Sequence, residues 1–67
     1  MITVQLNELD RQLPAGCTVT QLLVELAAPA RGVAVAVNGE VVRRAQWPLQ
    51  RLCDGDRVDV LTAVQGG

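Results

Sequence analysis

Thr18-Val19-Thr20-Gln21-Leu22-Leu23-Val24-Glu25-Leu26 is the stretch on which the fold of this 67-residue chain turns. Val19, Leu22, Leu23 and Leu26 recur at i, i+3, i+4 and i+7, which gathers them on one apolar stripe of a helix about 100° wide, with Thr20, Gln21 and Glu25 off it. Thr18 and Gln21 match a capping box, the Thr18 hydroxyl reaching the amide of Gln21 while the Gln21 side chain reaches back. Ala27 and Ala28 suit a further turn, and Pro29 followed by Gly32 stops it, so a helix of about three turns is expected. So short a helix is held by packing rather than propensity and needs a surface to lie on.

The flanking residues supply that surface. Upstream, Ile2, Val4 and Leu6 alternate with Thr3 and Gln5, the period of a strand with one buried face. Asn7-Glu8-Leu9-Asp10 has turn residues at both ends, and Arg11-Gln12-Leu13 returns antiparallel before Pro14-Ala15-Gly16 breaks the pattern. Downstream, Val33-Ala34-Val35-Ala36-Val37 is β-branched on one face and small on the other, as expected of an inner strand under a helix. Asn38-Gly39 is a strong hairpin signal because both positions accept φ > 0, and Glu40-Val41-Val42 is the return strand. Arg43 to Leu52 has no clean period and contains Pro48, which reads as irregular chain with one helical turn. Asp54-Gly55-Asp56 is a turn, and Arg57 to Thr62 alternates again as the last strand. Hairpin, helix, hairpin, loop and strand make an α+β roll: a mixed four- to five-stranded sheet with one helix packed on one face. The helical connection is long enough to cross the sheet, which leaves the closing strand free to lie beside the first in the middle. That arrangement resembles the β-grasp roll of ubiquitin. Residues 1–62 are expected to form the domain and 63–67 a flexible C-terminal Gly-Gly tail.

Composition narrows the function. The chain is 49% hydrophobic with Trp47 as its single aromatic residue, so the core must be aliphatic. Six arginines against seven acids leave a net charge of −1, which offers no basic field to nucleic acid and no polybasic patch to a membrane. No stretch approaches the ~18 apolar residues of a membrane span, and Met1-Ile2-Thr3-Val4 reads as a strand rather than a signal peptide, which makes a cytoplasmic location the expectation. Cys17 and Cys53 are then expected as free thiols serving as small buried or half-buried hydrophobes. Histidine, tyrosine and lysine are all missing, so the usual general bases and a Schiff-base amine are too. The two cysteines lack the paired spacing of a zinc site. The carboxylates of Asp54 and Asp56 are expected to cap their own turn rather than hold a metal, and Gly39 and Gly55 stand alone rather than in a phosphate loop. The chain is therefore read as no enzyme by itself, with no bound cofactor.

What it does carry is the terminal run Ala63-Val64-Gln65-Gly66-Gly67. Gly66 and Gly67 have no Cβ, so they can thread a narrow channel and present an unhindered carboxylate to another protein. In the last strand Val58, Val60 and Thr62 share one face while Leu61 and Ala63 share the other, and one helix covers only one side of a sheet. Leu61, Ala63, Val64 and Gln65 are thus the candidate partner-binding residues, on an apolar patch beside the tail. Trp47 reads as a cover for the open end of the sheet; Arg44 stacks on it, pairs with an acid or meets a partner.

Val37-Asn38-Gly39-Glu40-Val41-Val42, then Arg44 and Trp47, then Asp54-Gly55-Asp56 and the closing Gly66-Gly67 together resemble the ThiS family of sulfur carrier proteins of thiamine biosynthesis, over the whole chain. The resemblance implies that the Gly67 carboxylate is adenylated with ATP by a ubiquitin-activating-like enzyme, ThiF, and converted to a thiocarboxylate with cysteine-derived sulfur. The sulfur then passes to thiazole synthase, ThiG, with Gly66 giving a side-chain-free approach and the carrier a monomer when alone. Three alternatives stand beside it. The molybdopterin-synthase small subunit, MoaD, resembles ThiS in fold and also ends in two glycines, though it is typically longer, and the Asn38 to Trp47 pattern favours ThiS. A modifier joined to other proteins through Gly67 is the second. The third is a β-grasp interaction domain whose glycines are a linker, against which the start at Met1 and the stop at Gly67 count.

Overall fold

A computed structural model describes residues 1–29 and 31–62. The expected tail, 63–67, lies outside the described residues.

Five strands and one helix follow in the expected order: β1 (Ile2–Leu6), β2 (Leu9–Leu13), α1 (Val19–Glu25), β3 (Val33–Val37), β4 (Glu40–Val42), a 3₁₀ turn at Arg44–Gln46, and β5 (Arg57–Thr62). They form one mixed sheet in the order β2-β1-β5-β3-β4. The closing strand therefore lies in the middle, parallel to β1 at Gln5 and Leu6 and antiparallel to β3 along its length. Val19, Leu22 and Leu23 of α1 are buried against Val4 and Leu6 of β1, Val35 and Val37 of β3 and Val58 of β5, with Leu26 packed at the margin. One helix on one face of a mixed five-stranded sheet is the β-grasp roll.

Both hairpins turn on residues with left-handed backbone: Asn7 (φ 48°) and Glu8 (φ 72°) between β1 and β2, Asn38 (φ 52°) and Gly39 (φ 85°) between β3 and β4. The first turn is tighter than expected, because Leu9 and Asp10 already pair with Leu6 and Gln5 as strand. Glu8 in a place that favours glycine hid the two-residue turn from the sequence.

The helix starts as its capping box requires. The Gln21 amide donates to Thr18 Oγ1 at 3.2 Å and the Thr18 amide donates to Gln21 Oε1 at 2.9 Å. The other first-turn donors are met by the irregular segment, the Val19 amide by the Gln50 carbonyl at 3.0 Å and the Thr20 amide by the Trp47 carbonyl at 3.3 Å. It ends a turn earlier than expected, with seven residues and Leu26 as its C-cap. Ala27 swings to φ 55°, its amide donates to the Val24 carbonyl, and the Ala28 amide donates to the Leu23 carbonyl, both at 3.0 Å. That is a Schellman closure with alanine where glycine usually sits, made worthwhile because it drops Ala28 onto the core.

Residues 43–52 are better anchored than their lack of period suggested. Trp47 is half-buried, and its indole Nε1 donates to the Val42 carbonyl at 3.0 Å. The Leu52 amide donates to the Cys17 carbonyl at 2.8 Å, and Leu52 itself is buried.

Candidate functional site

The candidate site is the side of the sheet that α1 leaves uncovered. Alternation along β5 buries Val58 completely and leaves Leu61 68% exposed on the opposite face. The register carries that face outward. Leu61 stands opposite Ala34, Ala36 stands opposite both Asp59 and Val41, and Val41 is 78% exposed. Leu61, Ala34, Ala36 and Val41 thus form a chain of neighbours across β5, β3 and β4. The alanines keep the middle low, and the two larger side chains stand up at its edges. Toward β1 and β2 the same face turns polar, with Arg57 level with Gln5 and Gln5 opposite Asp10. An exposed apolar field with Asp59 at its β5 edge and a polar border beyond fits a docking surface.

Of the residues expected to meet a partner, Leu61 is on this face; Ala63, Val64, Gln65, Gly66 and Gly67 lie outside the described residues. Val41, Ala34 and Ala36 escaped the sequence reading as site residues. Their signal was the small side of the Val-Ala alternation in β3, whose placement beside Leu61 depends on register.

The polar groups near the far end of β5 are engaged with backbone and with Asn38. Asp54 Oδ1 accepts from the Thr3 amide at 2.7 Å, and Asp56 Oδ2 accepts from the Cys53 amide at 2.8 Å. Asp56 Oδ1 accepts from Asn38 Nδ2 at 3.0 Å. Asp56 caps its own turn, whereas Asp54 ties the turn to β1 instead of capping it; no group of three or more metal-ligating side chains occurs among the described residues. Arg44 stacks its guanidinium over Trp47, 5.3 Å from the ring centroid, which supports the structural reading of that pair.

Cys17 is buried, and burial, with a lesser push from the Glu25 charge, raises its thiol above the usual range. Cys53 is exposed instead of half-buried, because its turn is held by backbone bonds and does not need the side chain for packing.

Fold and site together define a class: a small ubiquitin-like β-grasp protein with an open apolar sheet face on the strand that leads to its C terminus. Within that class, the chain belongs to the ThiS family, whose model matches residues 2–67. The sulfur carrier protein ThiS of Escherichia coli (strain K12) is 36% identical over 61 residues, covering 91% of this chain and 92% of that protein. A crystal structure of ThiS from Geobacter metallireducens superposes with a TM-score of 0.84 at 32% identity, covering 98% of this chain and all of that one. A third relative is different in kind. The thiazole synthase of Paramagnetospirillum magneticum is 34% identical over 62 residues, which are 92% of this chain but 19% of that protein.

Proposed function

We propose that this chain carries sulfur as a thiocarboxylate on Gly67 for building the thiazole of thiamine. The observation that carries the reading is the family match through residue 67, which takes in Gly66 and Gly67 along with the β-grasp body. A carboxylate resists nucleophiles because of its charge, so the Gly67 oxygen must first attack the α-phosphorus of ATP on a ThiF-like enzyme, releasing pyrophosphate. The acyl carbon of the adenylate, no longer part of a carboxylate, is then attacked by sulfide-level sulfur from a cysteine-derived donor, and AMP leaves with the carboxylate oxygen. Metal, cations and sulfur nucleophile belong to the partners, while this chain supplies the tail and the surface that positions it. It acts as carrier rather than enzyme. A ThiG-like thiazole synthase is the acceptor. The relative in which a domain similar to this chain is part of a thiazole synthase supports that pairing. The need for ATP and reduced sulfur sets the chemistry in the cytoplasm. The free carrier is a monomer.

The test is intact-protein mass spectrometry after incubation with the cognate activating enzyme, ATP and a sulfur source. The native chain exchanges one terminal oxygen for one sulfur. Gly67→Ala slows the exchange by crowding the acyl carbon. Deleting Gly67 or appending one residue moves the carboxylate by about 3.5 Å and abolishes it, since a displacement of about 1 Å already costs on the order of a hundredfold. Equal conversion of the extended chain, or sulfur found on Cys17 or Cys53, overturns the reading.

A further inference from the structure

We infer that Asn7 is a positioning residue for the reacting terminus, its carboxamide clamping β5 at Val60 and so holding the end of the strand from which Gly66 and Gly67 follow in sequence. The inference rests on the carrier reading above and comes from an asymmetry in the sheet. β1 pairs with β5 only at Gln5–Arg57 and Leu6–Val58, then turns away into β2. Beyond Val58, β5 continues from Asp59 to Thr62 with β3 on one side and, among the described residues, no strand on the other. A strand end held along one edge frays more readily than one held along both.

Asn7 occupies the missing edge. Its backbone amide donates to the Val58 carbonyl at 2.9 Å, its Nδ2 donates to the Val60 carbonyl at 3.1 Å, and its Oδ1 accepts from the Val60 amide at 2.8 Å. A carboxamide presents its oxygen and one of its two N–H bonds side by side, so it engages the N–H and C=O of one residue together and holds β5 for one step after the β1 backbone has left it. The left-handed turn that sends β1 away is the same conformation that aims the carboxamide, and asparagine tolerates it.

The second hairpin provides an internal comparison. Asn38, at the equivalent place in its own turn, accepts at Oδ1 from the Arg57 amide at 2.9 Å and donates its backbone amide to the Arg57 carbonyl at 2.7 Å. Both asparagines brace β5, but Asn38 grips its first residue and Asn7 grips it two positions before Thr62, next to the run into Gly66 and Gly67. Loss of the Asn7 clamp loosens the end of β5 and leaves the face of Leu61, Ala34, Ala36 and Val41 in place.

Asn7→Gly separates clamp from turn, because glycine keeps the left-handed backbone and deletes the carboxamide. Two measurements read it: amide hydrogen exchange on the free chain, and ATP–pyrophosphate exchange by the cognate activating enzyme as carrier concentration is varied. In Asn7→Gly the Val60 amide exchanges about tenfold faster. Its kcat falls about three- to tenfold with KM within about twofold, because docking is intact and only tail placement suffers. Asn7→Asp, which keeps the oxygen facing the Val60 amide, recovers part of the rate. Asn38→Gly frees the Arg57 amide and leaves kcat within about twofold of the native value. An Asn7→Gly chain with native kcat overturns the inference, and so does an equal loss in Asn38→Gly, which would mark general loosening. If the native chain itself supports no exchange of pyrophosphate, the carrier reading fails; the clamp is then judged on Val60, and unchanged protection there in Asn7→Gly overturns it.

Discussion

Replacing Leu61 with aspartate separates docking from folding. Leu61 is 68% exposed on the uncovered face, so its loss removes little from the core. The cost to folding is that of a polar residue in a strand, up to about 1 kcal/mol. Binding has more at stake. Full burial of a leucine side chain contributes about 1.5–3 kcal/mol, and roughly two-thirds of that area is still in water before docking, which puts about 1–2 kcal/mol at the interface. Aspartate loses that and also carries a carboxylate into the contact, two positions from Asp59 on the same face and with no cation supplied by this chain at Ala34. Together the terms reach about 2–4 kcal/mol, which raises Kd about 30- to 1,000-fold. Leu61→Ala, without the charge, should raise it about 5- to 30-fold. Titration calorimetry against the activating enzyme without ATP reads both values, and urea denaturation checks the fold. A folded Leu61→Asp chain that binds with native affinity would refute the assignment of this face to docking.

Leu22 is completely buried, and truncation to alanine should lower stability by about 2–5 kcal/mol, a large share of the roughly 3–10 kcal/mol expected for a domain of this size. A change below about 0.5 kcal/mol in urea denaturation would deny the helix its part in the core. Ala27→Gly relieves a left-handed alanine and should raise the urea midpoint, by about 0.5–1 kcal/mol in stability after the entropy of glycine is set against it; a lower midpoint would contradict the Schellman account. The raised Cys17 thiol keeps its proton longer in the folded chain than in the unfolded one, so its contribution to stability is complete below the ordinary thiol pKa and fades as pH rises through the folded value. The chain has no lysine or tyrosine to mask this alkaline loss, which Cys17→Ala should remove from a series of urea midpoints at rising pH; an unchanged decline in that variant would place its source elsewhere.

The amphipathic stripe of α1, its capping box, the Asn38-Gly39 turn and the alternation of β5 were all legible in the residues, because each is a pattern over a few neighbours that sets local hydrogen bonding or the side to be buried. The same alternation by itself puts Leu61 on the face away from Val58 and Val60. Local pattern failed where a distant partner decided the backbone. Ala27 takes a glycine conformation because Ala28 has a core to enter, and Glu8 does so because β2 must pair with β1 from Leu9 onward. Cys53 stands exposed because Asp56 and Thr3 hold its turn without it. The full docking face needed the register that sets Leu61 against Ala34 and Ala36 against Val41, and residue types alone do not specify a register between strands so far apart in the chain. The Asn7 clamp is the furthest from sequence: its side chain meets Val60 across 53 positions, and that meeting exists only because β5 passes through the middle of the sheet and outruns β1.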